Sequence, residues 1–109
     1  MAETELCKIE FYVPESHLDG VKSAMFVAGA GRVGDYDKCA WQTLGEGQYR
    51  PLEDSDPFIG SKGEVEVLAE YKVEIVCVFE HLTAVISAMK ASHPYEEVAY
   101  SVIRLENGI

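Results

Sequence analysis

Cationic side chains are scarce in this sequence. Nine lysines and arginines stand against nineteen aspartates and glutamates, which gives a formal net charge of -10 at pH 7. A field of that sign repels phosphate backbones and anionic lipid headgroups. We therefore expect no nucleic-acid partner and no membrane partner, whereas metal cations and basic partners are electrostatically acceptable.

Cysteine and long apolar runs are scarce as well. Cys7, Cys39 and Cys77 are odd in number and widely spaced, with no Cys-x-x-Cys pair, which argues against a disulfide scaffold or a structural zinc site. The longest uncharged apolar stretches, such as residues 75–79, are far too short to cross a bilayer. The acidic first residues lack the basic start and apolar run of a secretory signal. We expect a cytoplasmic protein in which the cysteines are small buried side chains.

The remaining composition is that of an ordinary globular domain. Of the 109 residues, 48% are hydrophobic and 26% are charged, which is typical of a chain that builds one core. No repeat, low-complexity segment or flexible linker interrupts it. The sequence predicts a single domain over residues 1–109.

The hydrophobic pattern predicts alternating strands and helices. The predicted elements are a strand over 6–13, a helix from 15–16 to 28, a strand over 38–44, a turn at 45–47, an irregular loop over 51–63, an extended run over 64–79 with a break near 69–70, a helix over 81–91 and a strand over 97–105. Ser16 is a candidate N-cap for the first helix, and Gly29 lies where that helix would end. Two strand–helix–strand halves with an insertion rich in glycine and proline predict an α+β, ferredoxin-like βαββαβ fold.

Glycines follow the first predicted helix. Gly29, Gly31 and Gly34 match Gly-x-Gly-x-x-Gly, but a dinucleotide fingerprint needs those glycines after a strand and at the start of a helix. Here they follow a helix, whose negative end would face the phosphate. We interpret them as residues that supply left-handed backbone angles at a helix end and allow close packing at that corner.

The most informative stretch is His93-Pro94-Tyr95-Glu96-Glu97, between the second predicted helix and the last predicted strand. Proline pushes His93 towards an extended backbone, so the segment is a rigid corner that carries an imidazole, a phenol and two carboxylates. We favour a structural or interface role, in which His93 hydrogen-bonds a main-chain group or a carboxylate. A divalent-metal site on His93 and Glu97, with His81 or His17 as further ligands, and a small enzyme with His93 as general base are the alternatives.

The His-Pro-Tyr-Glu corner resembles the closing motif of the short YqfO proteins and of the domain inserted into Nif3-like dinuclear-metal proteins; CutA-type proteins carry a similar corner. The motifs that continue the resemblance are Phe11-Tyr12-Val13-Pro14, Gly29 to Gly34, Asp35-Tyr36-Asp37, Cys39-Ala40-Trp41, Gly45-x-Gly47-x-Tyr49-x-Pro51, Pro57-x-Ile59-Gly60, Glu66 and Glu70. The resemblance extends to about Leu105. It implies a CutA-like and PII-like fold whose members commonly form trimers with binding sites between subunits.

The resemblance implies no catalytic residue here, because the two metal ions of Nif3-like proteins lie in a larger flanking domain that we do not expect in a standalone 109-residue chain. We expect a homo-oligomeric binding or regulatory module, a trimer by preference, rather than an enzyme, with no certain cofactor. A small ligand would bind between the 29–36 segment, the 51–60 segment and the 93–97 corner of a neighbouring subunit. The candidate ligand or interface residues are Gly29, Gly31, Gly34, Tyr36, Trp41, His93, Tyr95, Glu96 and Glu97.

Overall fold

Four antiparallel strands and two α-helices form the structure, a computed structural model that describes residues 5–106. The elements are β1 (Leu6–Val13), α1 (Glu15–Val27), β2 (Trp41–Tyr49), β3 (Glu66–Val78), a 3₁₀ turn (Phe79–His81), α2 (Leu82–Ser92) and β4 (Tyr100–Arg104). The strands make one sheet in the order β2-β3-β1-β4, with every neighbouring pair antiparallel. This is the ferredoxin-like α+β arrangement predicted from the sequence.

The hydrophobic core lies between the helices and one face of the two central strands. Alternate residues of β1 are buried, and three of the four β3 residues directly opposite them are buried too, because paired residues share a face of the sheet. These positions are Cys7, Ile9, Phe11 and Val13 on β1 and Val73, Ile75 and Cys77 on β3. The helices cover them with Leu18, Val21 and Met25 from α1 and Val85 and Met89 from α2. Full burial of one such large side chain stabilises the fold by about 1.5–3 kcal/mol.

The outer strand β2 has much less cover. It pairs with residues 66–74 of β3, whereas β1 pairs with residues 71–78 of the same strand. Residues 66–70 therefore have β2 as their ladder partner beyond the end of β1. We call β2 together with residues 66–70 the arm. Seven of the nine β2 residues are exposed, so much of the arm is open to solvent among the residues that the structure describes.

Two predictions about the arm are wrong. Residues 45–47 form no turn, since Gly45 and Gly47 lie inside β2 opposite Glu70 and Leu68. Residues 69–70 form no break, because β3 runs unbroken for 13 residues and changes its partner from β2 to β1 on the way. At Gly47 an added Cβ atom would clash with the Glu70 carboxylate, so any larger residue there would force the Glu70 side chain to shift.

Other element ends differ from the prediction. Ser16 does not cap α1: Pro14 is the N-cap residue without a side-chain cap bond, and the Ser16 hydroxyl lies 2.8 Å from the His17 ring instead. The helix does end before Gly29, which has φ +117° and packs against the His81 ring. The last strand begins at Tyr100 rather than at Glu97, since the chain bends at residues 96–97 before it joins β1. Cys7 and Cys77 are buried as predicted, but Cys39 is only half-buried.

Candidate ligand-binding cleft

The 93–97 corner is fixed to the end of β1 by His93. The side chain is buried (8% exposed), and its two ring nitrogens both have main-chain partners. Nε2 donates to the Tyr12 carbonyl oxygen at 2.7 Å, and Nδ1 accepts the Tyr95 N–H at 3.1 Å. These roles require the neutral imidazole with its proton on Nε2. Burial lowers the pKa of His93 and so favours that neutral form.

Tyr95 connects the corner to the arm. Its hydroxyl donates to Glu70 Oε2 at 2.6 Å. Its ring centroid lies 4.7 Å from that of His93, 6.4 Å from that of Tyr49 and 6.5 Å from that of Phe58. Burial and the Glu70 carboxylate raise the pKa of Tyr95 well above its usual value. The phenol is therefore a permanent donor to Glu70 at physiological pH.

The 51–63 loop folds back onto the corner and the arm. The Gly63 N–H donates to the Pro51 carbonyl oxygen at 2.8 Å and closes the loop at its base. The Tyr49 hydroxyl donates to the Ile59 carbonyl oxygen, and the Asp56 N–H donates to Glu96 Oε1 at 3.1 Å. These bonds hold the loop over the site, in the irregular form predicted for residues 51–63.

A cleft of about 590 Å³ lies between the arm, the loop and the corner. That volume falls in the range of small-molecule sites. Four aromatic rings, four carboxylates and one guanidinium line it. They belong to Tyr12, Tyr49, Phe58 and Tyr95, to Asp54, Glu70, Glu96 and Glu97, and to Arg50; Gln48, Pro51, Leu52, Ser55, Pro57 and Ala99 complete the lining.

The structure brings some of the predicted site residues together. Tyr95, Glu96 and Glu97 line the cleft, while His93 lies beside it and supports the corner. The 51–63 loop and the corner meet within one chain, where we had expected the corner of a neighbouring subunit. Tyr12, Asp54 and Phe58 were missed. Phe58 carried a usable signal, because a large apolar ring in a polar loop needs something to pack against.

The glycine segment does not line this cleft. The amides of Gly29, Ala30 and Gly31 donate to the carbonyl oxygens of Phe26, Met25 and Val76 at 2.8–3.0 Å, so they are occupied by the fold itself. Gly34 lies in the turn that follows. Tyr36 is 75% exposed there, and Trp41 is 67% exposed at the start of β2.

A metal at His93 would have to displace one of its two main-chain hydrogen bonds. Across residues 5–106, no three histidine, cysteine, aspartate or glutamate side chains lie close enough together to hold a metal ion. In the same part of the chain, no helix is both long and apolar enough to cross a membrane.

The fold places the chain among small ferredoxin-like proteins. It is similar to the periplasmic divalent cation tolerance protein CutA from Archaeoglobus fulgidus (TM-score 0.68, 15% identity, 95% of this chain and 87% of that one). It is also similar to Bacillus subtilis GlnK (TM-score 0.65, 16% identity, 97% and 90%). At these identities the likeness concerns the fold, and it confirms the predicted CutA-like and PII-like class.

The sequence relatives are more specific. The chain is 45% identical over 100 residues to a GTP cyclohydrolase 1 type 2 homolog from Mycobacterium leprae and 44% identical over 101 residues to one from Bacillus subtilis. These alignments cover 92–93% of this chain but only 26–27% of the relatives. A Bacillus cereus protein related to NIF3 matches at a TM-score of 0.84 and 34% identity, over 98% of this chain and 27% of that one. No family model matches. The predicted resemblance to a domain of Nif3-like proteins is confirmed.

Proposed function

We propose that the chain is a cytoplasmic, homo-oligomeric binding module that holds a small ligand in the cleft between the arm, the 51–63 loop and the 93–97 corner. The observation that carries the proposal is that the cleft is preformed. The hydrogen bond that Asp56 donates to Glu96 and the one that Tyr95 donates to Glu70 join the walls of the cleft to one another within the fold itself. Ligand binding then costs less free energy, because the walls of a preorganised cleft are already ordered.

The uncovered arm supports the assembly. Trp41, Leu44 and Val67 are 67%, 60% and 53% exposed, and β2 is an outer strand whose free edge can pair with another chain. A second copy is the occupant that fits. Every copy carries the same exposed apolar side chains and the same free strand edge, so the arms of two copies can pair with each other. The trimer that the CutA-like resemblance implies is the assembly we favour.

The activity for which the relatives are named is not part of this proposal. The chain spans about a quarter of their length, and its cleft carries four carboxylates against one guanidinium. Walls of that charge repel a nucleoside triphosphate. We therefore propose binding, and no cyclohydrolase reaction, for this cleft.

Native mass spectrometry of untagged protein, purified without chelator, tests the proposal because it reports subunit number and retained mass together. We expect an oligomer that carries an extra mass. Trp41→Asp should dissociate it, whereas Val27→Asp, on an 89% exposed residue at the end of α1, should leave it assembled. A bare monomer at every concentration would refute the proposal.

A further inference from the structure

We infer that the cleft takes a small organic cation, an aliphatic amine or guanidinium compound, which its carboxylates and aromatic rings bind together. This inference rests on the proposed function, because it names the ligand class of the same cleft. It is carried by the chemistry of the lining and by which of the lining groups are already engaged within the fold.

The charge of the lining favours a cation. The cleft has a formal charge of -3, from the four carboxylates of Asp54, Glu70, Glu96 and Glu97 and the one guanidinium of Arg50. The whole chain carries -10, so the surroundings reinforce that field. A concave site with walls of one sign concentrates ions of the opposite sign. A phosphate, a nucleotide or a dicarboxylate would meet repulsion from every wall except Arg50.

The aromatic lining favours an organic cation over a metal ion. Tyr12, Tyr49, Phe58 and Tyr95 contribute rings, and the Tyr49 and Phe58 centroids lie 6.4 and 6.5 Å from that of Tyr95. A ring face attracts an ammonium or guanidinium group within about 6 Å of its centroid, so a cation in the corner between two such rings can contact both. A divalent metal uses no ring face, and residues 5–106 gather no three side chains able to ligate it.

The carboxylates have acceptor capacity left for a ligand. One oxygen of Glu70 accepts from Tyr95 and one of Glu96 accepts from Asp56, while a carboxylate has about four acceptor sites. Among the hydrogen bonds and ion pairs of the described residues, none involves the side chain of Glu97. It is exposed at the cleft wall, and so is Asp54, whose side chain likewise makes no hydrogen bond or ion pair among the described residues. These two carboxylates are the most open to an incoming amine.

Isothermal titration calorimetry with 1,4-diaminobutane tests the inference, and butane-1,4-diol serves as the uncharged probe of the same length. The variants are Glu97→Gln, on the cleft wall, and Glu53→Gln, which removes the same charge from the 51–63 loop at a residue outside the lining. We expect one diamine per subunit, no diol binding, and affinity that falls as salt rises. Glu97→Gln should weaken binding about two- to fivefold, and Glu53→Gln should leave it nearly unchanged.

Phe58→Leu is the second test, because it keeps an apolar side chain but removes the ring. We expect a loss of about two- to fivefold in diamine affinity. Far-UV circular dichroism and thermal unfolding of each variant establish that it is folded. No diamine binding, equal binding of the diol, or equal effects of Glu97→Gln and Glu53→Gln would overturn the inference.

The same experiments separate this inference from the proposed function. A neutral or anionic compound could instead bind the cleft or be retained in native mass spectra. If Phe58→Leu weakens the binding of that compound, the organic cation is refuted and the binding module stands. A bare monomer that binds none of the probes would refute both.

Discussion

The two halves of β3 differ sharply in burial. In the C-terminal half, Val73, Ile75 and Cys77 are at most 1% exposed under the helices. In the N-terminal half, residues 66–70 lie in the arm, where Val67 is 53% exposed. Both halves belong to one strand with antiparallel partners, but only the C-terminal half lies under the helices, and it is also the richer in β-branched residues. The covered half stabilises the chain, and the uncovered half is the part to which our proposal assigns the ligand and the second copy.

Truncation of a core residue that is paired with the covered half should have the largest effect. Phe11 is fully buried opposite Val73 and contacts His93 edge-on at 6.3 Å between centroids. Phe11→Ala should lower the free energy of unfolding by about 3–5 kcal/mol, a large part of the total for a domain of this size. Urea denaturation, followed by far-UV circular dichroism, measures it.

Leu44→Ala on the arm is the matched comparison, because Leu44 is 60% exposed. At dilutions where the chain is monomeric, it should change the free energy of unfolding by less than about 0.5 kcal/mol. If the two truncations cost the same under those conditions, the arm is packed as tightly as the core and the contrast between the halves is wrong.

A smaller effect should connect the arm to the cleft. In Gly47→Ala, the new Cβ would lie 1.7 Å from Glu70 Oε1, so the Glu70 side chain must move away from the Tyr95 hydroxyl. Loss of that charge-assisted hydrogen bond should cost about 1–2 kcal/mol. Gly45→Ala is the control, since nothing lies within 4 Å of its added Cβ, and it should be neutral or slightly stabilising. Equal free energies of unfolding for the two variants would contradict the close approach at Gly47.

His93 should make the free energy of unfolding depend on pH. Burial lowers its pKa below the ordinary value of 6.5, so the unfolded chain binds a proton that the folded chain does not. The stability it contributes is complete above the unfolded pKa and is lost as pH falls through the folded pKa. His93→Gln, whose amide can also donate to Tyr12 and accept from Tyr95, should flatten the fall in unfolding free energy between about pH 7 and about pH 5. An unchanged slope would assign the fall to other groups.

The elements that pack around the covered half could be predicted from the sequence, because their signals are local. The hydrophobic pattern predicted the bounds of β1 and, to within one residue, those of α1. The arm could not be predicted in the same way. Gly45 and Gly47 are typical of a turn, and only the ladder with β3 and the approach of Glu70 explain them as strand residues.

The candidate site divides similarly. The corner was predictable because Pro94 follows His93 directly and restricts its backbone. The partners of the corner were not, since Tyr12 lies 81 residues from His93 and Asp56 lies 40 residues from Glu96. Tertiary contacts at such separations have no periodic signature in one sequence.

The smallest effect should be seen in the 51–63 loop, where one substitution removes a single hydrogen bond. Glu96 accepts the Asp56 N–H at 3.1 Å, in an exposed position, where such a bond contributes about 0.5–1 kcal/mol. Glu96→Ala should therefore speed amide hydrogen exchange at Asp56 about two- to fivefold, with little change in global unfolding. Glu97→Ala removes the neighbouring carboxylate, which makes no bond to the loop among the described residues, and should leave that exchange rate as it is. Because the two variants differ by one position and carry the same charge change, faster exchange in both would mean that electrostatics, and not this bond, holds the loop over the cleft.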